Sequence, residues 1–256
     1  FLESLRMSGH SKWSSIKHKK GAADAKRGKL FTKLARAITI AARDGGGNID
    51  SNPALGLAVQ KARDASMPKD NIQRAIDRGT GEGADAEAIE SILYEGYGPG
   101  GAAILVEALT DNRNRTGSEV RHAFEKHGGS LGEPNSVAWQ FSKRGVILLD
   151  GERYGEEDLM AAIDAGAEDV VSDGDVLKVL TAATDLAAVR AALEQEGVEI
   201  ESAELSMEPQ STVEVSESDA GPLLRLMDAL EEHDDVDSVH ANFDVPEEVL
   251  EKAAAG

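Results

Sequence analysis

The spacing of apolar residues changes period along the chain. Between residues 29 and 43 (KLFTKLARAITIAAR), Leu30, Leu34, Ala37, Ile38 and Ala41 fall on one face at about 100° per residue, which predicts an amphipathic helix. Lys29, Lys33, Arg36 and Arg43 share a different face, and Gly45, Gly46 and Gly47 are expected to end the helix. A second helix is predicted from Asn52, with Pro53 in its first position and Leu55, Val59 and Ala62 turned inward. A third starts at Pro68 and stops at Gly79; it carries Ile72 and Ile76 inward and is decorated by Lys69, Arg74 and Arg78. Short helices alone make a thin core, so this bundle is expected to dock on the domain that follows.

After a polar, glycine-containing linker at 80–88 the pattern turns strand-like. Ala102 to Leu109 is a predicted strand and Arg115 to His127 a predicted helix, with Thr116 and Glu119 at the spacing of a capping box. Val137 to Phe141 and Val146 to Leu149 read as a hairpin turning at Lys143-Arg144-Gly145. A helix at 156–165, strands at 169–172 and 176–181, a helix at 185–196 and a strand at 198–205 follow. A strand at 212–215, a helix at 220–233 and a strand at 236–243 close the series. From Val137 the order resembles a βαββαβ unit. The fold expected is α+β with three domains: an N-terminal helical bundle followed by two small ferredoxin-like α/β sandwiches, one inserted in the other. The boundaries expected are 7–79 for the basic arm and bundle, 80–132 plus 207–245 for the outer sandwich, and 133–206 for the inserted one. Trp139 and Phe141 alternate on one predicted strand and are expected in the core.

Composition narrows the function. A chain of 256 residues suits two or three domains, and the absence of cysteine excludes disulfides, a thiol nucleophile and cysteine-ligated zinc or iron–sulfur sites. It fits a reducing compartment. No apolar run approaches the roughly 18 residues that a membrane span requires. Met7 reads as a natural start, with residues 1–6 expected outside the fold. The formal charge is −20, yet it is polarised: residues 1–78 hold 16 Lys/Arg against 7 Asp/Glu, whereas residues 146–256 hold 5 against 30. Such asymmetry points to nucleic-acid contact at the basic end. Lys12, Lys17, Lys19, Lys20, Lys26 and Arg27 crowd a segment with little apolar periodicity, expected to be a mobile basic arm.

No catalytic motif of the nucleophile-elbow, zinc-protease or phosphate-loop type is present, so no catalytic residue, metal ligand or cofactor is assigned. The Gly98-Pro99-Gly100-Gly101 run precedes a strand, not a helix, and reads as a turn. His233, inside a run of acids from Glu231 to Asp235, reads as part of a solvated helix end. Arg113 and Arg115 flank a helix start where free amides suit a phosphate; equally, they can fold back onto carboxylates. Trp13 and Phe31 lie among the cations, where a ring can stack on a base, although Phe31 better fits the bundle core.

The segments MSGHSKWSSIKHKKGAADAKRGKLFTKLARAI, KDNIQRAIDRGTG, YEGYGPGG, TDNRNRT and FEKHGGSLG, in this order, closely resemble the YebC/PmpR family, which also includes the mitochondrial translational activator of cytochrome oxidase. The similarity runs from Met7 to about Phe243. It implies a three-domain α/β protein of the cytoplasm with no cofactor or catalytic residue. Bacterial members are described as DNA-binding transcriptional regulators; others act in translation, on the ribosome or on messenger RNA. The expectation is therefore a non-enzymatic nucleic-acid-binding regulator that contacts DNA through Lys12, Lys17, Lys19, Lys20, Lys26, Arg27, Lys29, Lys33, Arg36, Arg43, Lys69, Arg74, Arg78, Arg113 and Arg115. The alternative partner is ribosomal RNA, messenger RNA or the ribosome. A further reading is an acidic protein-interaction module whose basic arm pairs with it intramolecularly.

Overall fold

In the computed structural model the residues described are Trp13, 24–81, 89–173, 176–246 and 248–250. Among the described residues from 24 onward, the first elements are the helices α1 (Asp24–Gly45), α2 (Pro53–Asp64) and α3 (Lys69–Gly79). They close around Leu34, Ile38, Leu55, Val59, Ile72 and Ile76. Asn52 caps α2 by accepting the Leu55 amide at 3.1 Å, and its side-chain nitrogen donates to the carbonyls of Ala41 and Gly46, so one residue ends one helix and starts the next. Helices α1 and α3 cross closely at Gly79. A Cβ there would run into the Thr39 carbonyl and lie 2.8 Å from the Ala42 Cβ. Gly79→Ala is therefore expected to force the helices apart and cost about 1–3 kcal/mol. Thermal unfolding tests this; an unchanged Tm would refute the close crossing.

The chain continues through β1 (Glu90–Tyr97), β2 (Ala103–Thr110), α4 (Arg113–Lys126) and β3 (Ser130–Leu131). It then makes β4 (Phe141–Asp150), α5 (Met160–Asp164), β5 (Ala167–Asp173), β6 (Val176–Ala182), α6 (Leu186–Gln195) and β7 (Ser202–Pro209). It returns through β8 (Val213–Glu214), α7 (Glu217–Glu231), β9 (Val236–Ala241) and β10 (Phe243–Asp244). The architecture is α+β: a helical bundle and two sandwiches. One antiparallel sheet has the order β3-β1-β2-β9, the other β5-β6-β4-β7. The second is the ferredoxin-like arrangement of a βαββαβ unit; the first is the same four-strand layer in a rearranged chain order.

Strand β2 is covered on both faces, which explains its nearly continuous apolar run. Ile104 and Val106 lie in a core with Val120 and Phe124 of α4 and Leu223 and Met227 of α7, while Ala103 and Leu105 meet Val137 and Phe141. Ion pairs link the helical bundle to the second sandwich: Lys61 to Glu204 of β7 at 2.6 Å and Asp64 to Arg190 of α6 at 3.1 Å.

Several expectations give way. Strand β1 is not among the predicted elements: Glu95 interrupts its apolar alternation, yet is buried. No hairpin forms at Lys143-Arg144-Gly145. That tripeptide lies inside β4, all of it paired to β7, with Arg144 and Gly145 paired to β6 on the other side. Gly145 serves packing: a Cβ would collide with the Thr181 hydroxyl and lie 2.9 Å from the Leu186 Cβ. Thr116 does not open a capping box. Helix α4 starts earlier, capped by Asn112, which accepts the Arg115 amide at 3.1 Å, and Thr116 faces inward. Phe141 is buried as expected, but Trp139 sits in a 3₁₀ turn ahead of β4 and is 70% exposed. Trp13 is 3% exposed and packed in the core under α4 and α7, which rules it out as a stacking surface in this arrangement.

Candidate nucleic-acid interface

The cations of α1 split into groups. Arg27 is exposed. Lys29 pairs with Asp234 at 3.1 Å, and the Lys33 ammonium donates to the Glu231 carbonyl at 2.6 Å. Burial pulls the Lys33 pKa down, against the nearby carboxylates of Asp237, Glu231 and Asp234. Arg36 donates to the Asp234 carbonyl and to Asp235 Oδ1, both at 2.8 Å. Arg43 binds Asp44 and the Ile89 carbonyl. Three members of the predicted stripe therefore face the end of α7 and the start of β9, fastening the bundle to the first sandwich.

Asp235 is the centre of that junction. It is 4% exposed and receives Arg36 on one oxygen. On the other it receives Arg115 at 2.6 Å and the Thr116 hydroxyl at 2.7 Å, with the Thr110 hydroxyl 3.2 Å away. Burial alone would raise this carboxyl; the bonds from Arg115 and Thr116 and the charge of Arg36 outweigh it and hold the pKa at about 2. Arg115 also pairs with Asp111 at 2.9 Å, so of the two readings of this guanidinium the fold-back onto carboxylates is what the structure contains. Arg113 is exposed. His233 is not a solvated end: its Nδ1 accepts the Asp235 amide at 3.1 Å and its Nε2 meets Glu119 at 2.8 Å. Glu119, His233 and Asp235 place ligand-type atoms within 4.8 Å of one another, but these atoms are already engaged with each other and with the arginines.

Two surface clefts share Arg36. One, about 480 Å³, is lined by this knot of opposite charges, including Lys29, Arg115, Glu119 and Asp234. The other, about 530 Å³, has no carboxylate in its lining. Arg36, Arg74 and Arg78 surround it, and Phe31, Ala35, Met67, Ala75 and Ile89 supply apolar surface. Arg74 is held by the Asp70 carbonyl at 3.2 Å and by the Asn71 side chain. Lys69 is exposed at the start of α3. Among the predicted residues, Lys12, Lys17, Lys19 and Lys20 lie outside the described residues; Lys26 lies in α1, its side chain outside the description. Sequence reasoning missed Asp235, Thr110 and Thr116, and the apolar floor of the second cleft. Asp235 is indistinguishable by composition from the acids beside it, and only tertiary contact singles it out. No helix among the described residues is long and apolar enough to cross a membrane.

Known proteins resemble this chain in sequence and in fold. The family model described as TACO1/YebC protein N-terminal domain matches residues 11–82, and the model described as TACO1/YebC second and third domain matches residues 89–243. A probable transcriptional regulatory protein of Rubrobacter xylanophilus is 61% identical over 249 residues, covering 97% of this chain and 100% of the relative. One of Desulfotalea psychrophila is 55% identical over 250 residues, with the same coverage of 97% and 100%. A crystal structure of a conserved hypothetical protein from Aquifex aeolicus superposes with a TM-score of 0.80 at 48% identity, covering 88% of this chain and 93% of that one. With both models matching and relatives this similar along nearly the whole length, the chain belongs to the TACO1/YebC family.

Proposed function

We propose that the protein is a non-enzymatic regulator of gene expression that grips the phosphates of DNA with its helical domain. The observation that carries the reading is the carboxylate-free cleft bordered by Arg36, Arg74 and Arg78, with Lys69 and Arg27 exposed on the same bundle. Neutralising phosphates with such cations releases counterions and gives salt-sensitive affinity without base recognition. The acidic remainder of the chain is repelled by the same polyanion, which orients the molecule on it. The names of the relatives favour DNA as the polyanion. Lys12, Lys17, Lys19, Lys20 and Lys26 add to the positive charge of the N-terminal region, and Arg43 and Arg113 are further candidate phosphate contacts. Lys29, Lys33 and Arg115 contribute by fixing the bundle in place more than by meeting phosphate.

The test is the salt dependence of binding to a short DNA duplex and to an RNA hairpin. Lys69→Ala/Arg74→Ala/Arg78→Ala is expected to weaken DNA binding by at least roughly tenfold and to lower the log–log salt slope by about 0.9 for each phosphate that is no longer neutralised. An unchanged slope would remove α3 from the interface. Tighter binding to the RNA hairpin than to any duplex would move the regulator from DNA to RNA. Deleting the basic arm is a poorer experiment, because it also removes Trp13 from the core.

A further inference from the structure

We infer that the cleft between α1 and α3 is a nucleoside-phosphate pocket, taking one unpaired base on Phe31 and Met67 with its phosphate on Arg74 and Arg78. The inference rests on the nucleic-acid reading and deepens it. A surface that only tracks a phosphate backbone needs cations and nothing else. This cleft instead combines three guanidiniums with an apolar floor, and at about 530 Å³ it falls within the roughly 300–1,000 Å³ usual for small-ligand sites. A fatty ligand is disfavoured by the arginines, and an inorganic anion leaves the floor unused. A flat, weakly polar ring joined to a phosphate matches both parts.

The pieces are held ready. Phe31 is half-buried against the bundle core, so its ring is positioned before any ligand arrives, and stacking on a fixed aromatic loses little entropy. Arg74 is braced by its own helix through the Asp70 carbonyl and Asn71. Arg36 is braced from the opposite side by Asp235, so the guanidinium that joins the two clefts is fixed as well. Asn71 accepts from Arg74 with its oxygen, which leaves its amide nitrogen as the donor a base edge can use. Planar guanidiniums suit phosphate better than ammonium groups do, and this cleft is lined by arginine alone among the basic side chains.

The experiment compares a labelled oligodeoxyadenylate with an abasic strand of equal length, using AMP as competitor. The wild-type protein is expected to bind the strand with bases on the order of tenfold more tightly than the abasic one. Phe31→Leu keeps the apolar packing but not the ring; it is expected to erase most of that preference and leave abasic binding unchanged. Arg78→Ala is expected to weaken both. Competition by AMP assigns a free nucleotide as a source of the ligand, and failure of AMP to compete assigns a nucleotide held in a strand. Equal affinity for the two strands, or a preference that survives Phe31→Leu, overturns the pocket while leaving phosphate gripping intact. Displacement of the strand by polyglutamate at the concentration tested for AMP also overturns it, in favour of a general anion site. Failure of the wild-type protein to bind any strand or duplex overturns the nucleic-acid reading itself.

Discussion

Asp235→Ala should cost about 3 kcal/mol of stability. The carboxylate is 4% exposed and neutralises two arginines from different layers, Arg36 of α1 and Arg115 of α4, while accepting the Thr116 hydroxyl. Removing one partner of a buried pair typically costs about 3–5 kcal/mol. Arg36 and Arg115 are partly open to water and can rehydrate, which places the value at the lower end. Asp235→Asn keeps the shape and loses the charge. A carboxyl shifted from 3.8 to about 2 corresponds to roughly 2 kcal/mol. The folded pKa lies below the unfolded one, so this contribution is complete above about pH 5 and is lost as the pH falls toward 2. Urea unfolding at neutral and acid pH checks it: Asp235→Asn should be less stable than the wild type at pH 7, and the gap should close in acid. A gap that persists in full at low pH would show that shape, not charge, matters there. Because the same group fastens α1 to the first sandwich, Asp235→Ala should also expose residues 24–81 to proteolysis before the sheets.

Glu95→Ala should lose about 2–4 kcal/mol by a different route. Glu95 points from β1 into the segment that leads to β4, and its two oxygens accept the amides of Asn135 at 2.6 Å, Val137 at 2.8 Å and Ala138 at 2.7 Å. Burial works against the charge, but the three amides lower the pKa overall. Stranding buried donors costs about 1–3 kcal/mol each, reduced here where the backbone reaches water. Glu95→Gln cannot satisfy all three, because one oxygen becomes a donor facing a donor. It should recover less than half of the loss. Tyr97 and Trp139 both donate to the Ser136 carbonyl inside this segment, so the exposed indole reports on it. In a Trp13→Phe background, Trp139 fluorescence anisotropy should fall in either variant. An unchanged anisotropy would mean that the amides are not what fixes the turn.

The sequence makes the helices legible because their apolar faces are periodic and their ends carry Asn52, Pro53 and the glycines after α1. It makes the second sheet legible because β4 to β7 alternate with helices at regular spacing. It hides β1, because Glu95 is polar in composition and interior in fact. It hides the continuity of β4 as well. Gly145 has the look of a turn residue, but its missing side chain serves Thr181 and Leu186, which are far away in the chain. The cationic stripe of α1 is visible in the sequence, whereas its engagement is not: Lys29, Lys33 and Arg36 meet acids and carbonyls some two hundred residues away, and charge alone cannot distinguish a phosphate from Asp234.

The nesting of one sheet within the other has a consequence for the order in which a nascent chain acquires structure. Strands β4 and β7 pair from Phe141 with Pro209 to Leu148 with Ser202, so the inner sandwich is complete in sequence once Pro209 has left the ribosome. In the outer sheet Val106 must wait for Val239, near the end of synthesis. The inner unit is thus expected to be protease-resistant on stalled chains that stop after residue 209 and clear the exit tunnel, with the outer one still open.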